Sequence, residues 1–149
     1  MSDLPGSAAD LLHLLTRAER LLARRTGAVL TVESLSIEAW RVLCLLADGR
    51  GHPMSEVAAE ASLPPGTLTK LVDHLVDRNL VFRRVDPVDR RRIRAYLTAR
   101  GRREHERVDA LVGAALAELT TGADADLTRL LGDLIGRLEP NRRPTPTPA

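Results

Sequence analysis

Apolar residues recur three and four positions apart in several stretches of this 149-residue chain, a spacing that suits amphipathic helices packed on one another. The first stretch has them at 11, 14, 15, 18, 21 and 22, with Arg17, Arg20 and Arg24 elsewhere on the surface, and predicts a helix from Ala8 to Ala28. Two more lie near the C-terminus, at 108, 111, 112, 115, 116 and 119, and at Leu127, Leu130, Leu131, Leu134, Ile135 and Leu138. Only Trp40, Phe82 and Tyr96 carry large aromatic rings, so the core must be aliphatic, as in packed helices. At this length the chain is expected to form one structural domain, mainly α.

The middle of the chain reads differently. Ser36 is an expected N-cap for a second helix from Ile37 to Ala47, in which Val42, Leu43, Cys44, Leu45 and Leu46 are apolar on nearly every side, so this helix is expected to be central and buried. Asp48-Gly-Arg-Gly-His ends it, and Pro53 presets the first turn of a short third helix reaching about Glu60. A turn at Ala61-Ser62-Leu63 and the pair Pro64-Pro65 lead into a fourth helix. That helix places Leu68, Leu71, Val72 and Leu75 on one face and Gly66, Thr67, Lys70 and His74 on another. Asn79 suits a left-handed helix end, and Leu80-Val-Phe opens a strand. Asp86-Pro87 signals a turn, and Ile93, Ala95 and Leu97 then alternate with Arg92, Arg94 and Tyr96 in a second strand. Thr98 caps a fifth helix, while Gly122 and Asp124 begin a sixth. The expected fold is therefore mainly α with a small β-hairpin.

Charge is unevenly distributed. The formal net charge is only +2, yet nine arginines fall between Arg83 and Arg103 against Asp86 and Asp89 alone. No apolar run reaches the roughly 18 residues that span a bilayer, and the N-terminus lacks a signal-type core, so a cytoplasmic protein without a membrane partner is expected. One cysteine, Cys44, excludes an intrachain disulfide and a cysteine-cluster metal site. His13, His52, His74 and His105 are scattered without paired ligand spacing, so no metal site is expected. Neither a Gly-rich phosphate loop nor a nucleophile elbow nor a Ser/His/Asp set is visible; the chain reads as no enzyme and as needing no cofactor.

Helix, helix, turn, helix and basic hairpin, in that order, make a winged helix-turn-helix, in which the second helix of the pair enters the major groove of DNA. In its motifs the chain resembles the MarR family of bacterial transcriptional regulators. The resemblance runs through Leu35-Ser36, Ser55-Glu-Val-Ala, Thr67-Leu-Thr-Lys-Leu-Val-Asp-His-Leu, the wing Asp86-Pro-Val-Asp-Arg-Arg, and Leu97-Thr98-x-x-Gly101, covering about residues 8 to 139. It implies that Arg91 at the wing tip enters a minor groove and that Asp89 helps to hold the wing. The residues agree with that, since a guanidinium suits a narrow groove of strong negative potential and a nearby carboxylate can fix its direction.

The candidate DNA-binding residues follow from position. Pro65, Gly66, Thr67, Thr69 and Lys70 occupy the first turns of the fourth helix, with Thr67 and Lys70 the foremost, and His74 lies one turn further along. Ser55 opens the third helix. Arg83, Arg84, Arg90, Arg92 and Arg94 suit phosphate contacts, which supply affinity and salt dependence more than sequence choice. Pro64 stands where relatives have a capping Ser or Asp, so this helix lacks a side-chain N-cap; Asn79 replaces a usual Gly.

The terminal stripes exceed what so short a chain can cover by itself, so residues 8–34 and 99–139 are expected to pair two copies in a homodimer, flanking a DNA-binding region at 35–98. The proline-rich tail, 140–149, is expected to be disordered. The resemblance also implies a small aromatic or anionic effector and, more commonly, repression. Trp40 is a candidate effector contact, against the plainer reading of a core tryptophan. Cys44 reads as inert packing in preference to a redox sensor. A winged helix serving protein interaction alone is the main alternative; an acidic or apolar fourth helix would have favoured it.

Overall fold

Two signals decide where the first helix starts and stops. Ser7 and Asp10 form a reciprocal capping box, the Ser7 hydroxyl accepting the Asp10 N–H at 3.1 Å, and α1 runs over Ala8–Val32. It ends four residues beyond the expected Ala28. Nothing before Val32 supplies a stop: Thr31 bonds back to the Gly27 carbonyl at 2.8 Å, and only at Ser34, with φ 56°, does the backbone turn left-handed. The computed structural model of the chain describes residues 6–119 and 124–139, so the proline-rich tail and Gly122 lie outside the described residues.

The Ser36 side chain accepts the Ala39 N–H and opens α2, Ile37–Leu46. Its Ala39, Trp40, Val42, Leu43 and Leu46 are buried, which makes it the centre of the molecule's core. Cys44 departs from expectation, because it is exposed. Burial follows the helix face rather than hydrophobicity alone, and position 44 faces outward between Val42-Leu43 and Leu46. Crowding by neighbouring atoms, with a contribution from Asp109, still pushes its thiol up to about 11, so the thiolate is scarce near neutrality.

Before the third helix the chain makes a strand too short to leave a pattern, β1, His52–Pro53. Pro53 thereby sits at the N-cap of α3, Met54–Ala61, instead of inside its first turn. Ser62 turns left-handed, and α4 follows over Pro65–Asp77 with Pro65 in its first turn and no side-chain cap at Pro64. Leu68, Val72 and Leu75 of α4 are buried against the core. Asn79 adopts φ 56°, the left-handed conformation its short polar side chain tolerates.

Strands β2, Val81–Val85, and β3, Ile93–Leu97, form the hairpin, with Val81 opposite Leu97 and Val85 opposite Ile93. β1 pairs with the other edge of β3, giving a three-stranded antiparallel sheet in the order β1-β3-β2. Of the three inward residues expected on the second strand, Ala95 and Leu97 are buried while Ile93 is exposed, because the hairpin has by then left the body. Thr98 caps α5, Ala99–Leu116, by accepting the Gly101 N–H at 2.8 Å.

The chain packs as two units, dividing between Ala115 and Leu116. In the first, Leu11, Leu12, Leu14, Leu21 and Leu22 of α1 remain exposed. In the second, a short 3-10 turn at Ala117–Leu119 precedes α6, Asp124–Leu138, which has no buried residue. Leu127, Leu130, Ile135 and Leu138 are more than half exposed.

Candidate nucleic-acid interface

Three elements converge on one cleft. The start of α3, the outer side of α4 and the hairpin enclose about 340 Å³, lined by Ser55, Thr69, Arg83, Arg91, Arg92 and Ile93 together with Pro53 and Met54. Five residues singled out from the sequence thus meet in space across 38 positions of chain. Pro65, Gly66, Thr67, Lys70 and His74 are exposed on α4. A side chain added at Gly66 would meet nothing within 4 Å, so the front of α4 is open to a large partner. The Thr69 hydroxyl donates to the Pro65 carbonyl at 2.9 Å, a bond back onto its own helix that leaves the N–H groups of the uncapped first turn free of side-chain partners.

The wing tip is built around Asp86, which is buried; the sequence marks it as a turn and as the first residue of the wing motif, without its partners. One carboxylate oxygen accepts the main-chain N–H groups of Val88 and Asp89 at 2.8 and 3.2 Å, and the other accepts Arg94 Nε at 2.6 Å. Pairing with Arg94, followed by the two main-chain bonds, holds the Asp86 carboxyl down at about 2. Arg94 also donates to the Gly51 carbonyl at 3.0 Å, tying the hairpin to the loop before β1. Its charge is therefore spent inside the protein, which weakens the expectation of a phosphate contact at this position.

The Asp89 carboxylate accepts the Arg91 main-chain N–H at 3.1 Å and lies 3.7 Å from Arg92 Nε, so at the tip it bonds the Arg91 backbone, while Arg91 itself is among the residues lining the cleft. Arg83 pairs with Asp73 of α4, a partner at a spacing that no sequence pattern announces, and this locks the wing strand to the fourth helix. Arg84 lies on the opposite face of the hairpin, 5.2 Å from the centre of the Phe82 ring, which in turn stacks on Tyr96 at 5.2 Å. Arg90 is exposed at the tip.

Behind the cleft, His52 bridges Asp48 at 2.7 Å and Glu56 at 3.0 Å. Burial works against its charged form, but Glu56 and Asp48 outweigh it and raise the imidazole above its ordinary value. Trp40 is buried and stacks on His105 of α5 with ring centres 5.0 Å apart. Among the described residues no group of three or more His, Cys, Asp or Glu is placed to hold a metal ion, and no helix is long and apolar enough to cross a membrane.

A helix pair with an open, uncapped second helix, flanked by an arginine-bearing hairpin pinned at a set distance, defines a winged helix-turn-helix regulator of the DNA-binding class. The model of the MarR family matches residues 33–92. The HTH-type transcriptional repressor Rv2887 of Mycobacterium tuberculosis is 32% identical over 130 residues, covering 85% of this chain and 94% of that protein. CouR from Rhodococcus jostii RHA1, solved with p-coumaroyl-CoA, superposes with a TM-score of 0.77 at 28% identity, over 93% of this chain and 96% of that one. Rv2887 in complex with p-aminosalicylic acid superposes at 0.69 with 30% identity, over 83% and 97%. The chain belongs to the MarR family and is a transcriptional regulator, not an enzyme.

Proposed function

We propose that the protein is a ligand-responsive repressor that binds a pseudo-palindromic operator as a homodimer. The observation that supports this reading is the cleft in which Ser55, Thr69, Arg83 and Arg91 meet, because it brings the arginine proposed for the minor groove beside the helix proposed for the major groove. Two copies, paired through the exposed stripes of α1 and of the helices beyond Thr98, would present two α4 helices to successive major grooves, with Arg91 in the flanking minor grooves. On this division, residues 8–34 and 99–139 dimerise and 35–98 bind DNA, in the cytoplasm where bacterial DNA lies. Thr67 and Lys70 then meet base edges or phosphates, while Arg83, Arg84, Arg90 and Arg92 lie near phosphates.

The effector is proposed to be a small aromatic or anionic compound, on the model of relatives solved with p-aminosalicylic acid and p-coumaroyl-CoA. Trp40 on His105, between α2 and α5, is the proposed contact. Binding there would change the spacing of the two recognition helices and shift the operator-competent population. Footprinting followed by mobility-shift titration tests the whole reading. A protected, dyad-symmetric site bound well above bulk DNA, and released by an aromatic acid that quenches the lone tryptophan, is the expected result. A monomer with no preference over bulk DNA overturns it.

A further inference from the structure

The corner between α1 and α2 is gripped from two sides. Ser34 holds φ 56°, a conformation that residues with a side chain rarely adopt, so neighbouring contacts must maintain it. Leu30 and Leu35 anchor it from within, both buried and joined by a main-chain bond at 2.9 Å. On the surface, Arg78, the residue that ends α4, donates to the Ser34 carbonyl at 2.8 Å across 44 positions of chain. From α5, Arg107 donates to the Glu33 carboxylate at 2.5 Å and to Glu104 at 2.9 Å. The bond from Arg107 holds the Glu33 carboxyl below its ordinary value, so the pair is charged at neutral pH. Two guanidinium groups from two helices thus meet two adjacent residues of the corner.

We infer that Arg78 and the Glu33–Arg107 pair are positioning residues for operator recognition: they fix α4 against α1 and α5, and so set the separation of half-sites that a dimer accepts. The inference rests on the homodimeric operator reading above, in which α1 and the helices beyond Thr98 pair the copies. Two copies match one half-site separation only if each α4 keeps its place relative to the helices that pair them. Burial of Leu68, Val72 and Leu75 draws α4 onto the core through a non-directional force, whereas a charge-assisted hydrogen bond at the helix end is directional. Both surface contacts are open to solvent and add little to stability, so their loss is expected to show in operator geometry before it shows in folding.

The test is affinity for the footprinted operator and for versions with one or two base pairs inserted between its half-sites, each insertion moving a half-site by about 3.4 Å along the axis and roughly 35° around it. Wild type is expected to prefer the native spacing. Arg78→Ala, Glu33→Gln and Arg107→Gln should each lower that preference roughly threefold to tenfold per dimer, with the salt slope and thermal midpoint close to wild type. Arg78→Lys, which keeps a donor, should restore most of it, and the Glu33→Gln/Arg107→Gln double variant should lose no more than either single one. Should Arg78→Ala not fold, the near-isosteric Glu33→Gln decides. An unchanged spacing preference, equal weakening on every spacing, or a flatter salt slope in Arg78→Ala overturns the inference and leaves the operator reading standing. A wild type with neither a dyad-symmetric site nor a spacing preference overturns both.

Discussion

A Cβ added to Gly101 would lie 1.9 Å from the Leu80 carbonyl oxygen and 2.8 Å from the Leu80 carbonyl carbon, so only glycine lets α5 begin against the end of the recognition helix. Thr98 completes that joint, donating to the Asn79 carbonyl at 2.7 Å while capping Gly101. Because the obstruction is backbone, Gly101→Ala is expected to cost about 3 kcal/mol, read as a lower urea midpoint at an unchanged m-value. Gly51 is held in a similar way: at φ 68°, an added Cβ would fall 2.2 Å from the Tyr96 ring. Asp86 makes a second prediction at this scale. Its carboxyl is depressed from 3.8 to about 2 in the fold, so its contribution is fully present above pH 4 and is lost as pH falls toward 2. Carbon-detected NMR titration should place its midpoint near 2, and Arg94→Ala should return it toward 3.8.

Among elements, wing and recognition helix divide the work of binding. Arg91→Ala is expected to weaken operator binding broadly and to flatten the salt slope by up to about one unit per subunit, whereas Thr67→Ala should chiefly alter base preference at one operator position. Salt-series titration against a panel of operator variants checks both; the opposite pattern would place the wing and helix in the wrong grooves. The elements themselves were largely legible. Caps at Ser36 and Thr98 and the left-handed Asn79 are local chemistry, readable without neighbours. β1 was not, since two residues acquire strand character only by pairing with Ala95 and Arg94. The Arg83–Asp73 lock and the Arg94–Asp86 pair were equally hidden, because the first forms only where β2 packs on α4 and the second only where the hairpin closes.

For the whole molecule, the exposed leucines are the dominant energetic fact. Leu12 and Leu14 of α1 are 68% and 61% exposed, and among the described residues α6 has none that is buried. Covering a leucine is worth roughly 2 kcal/mol, so the proposed second copy would gain strongly by covering faces of this extent. Equilibrium sedimentation is expected to give a dimer whose melting temperature rises with protein concentration, and Leu14→Glu should shift it toward monomer and abolish operator binding. A concentration-independent melt at the monomer mass would refute this.

Periodicity, caps and the Leu97-Thr98-x-x-Gly101 motif determine by themselves which segments are helix, which form the hairpin, and which family the chain belongs to, because those signals act within a few residues of one another. Which arginines line the cleft and which pair inside the protein, why Cys44 faces outward, and how Asp86 holds the wing were decided only in three dimensions. Burial and ion pairing depend on what the chain folds back to meet, and a one-dimensional pattern does not record that.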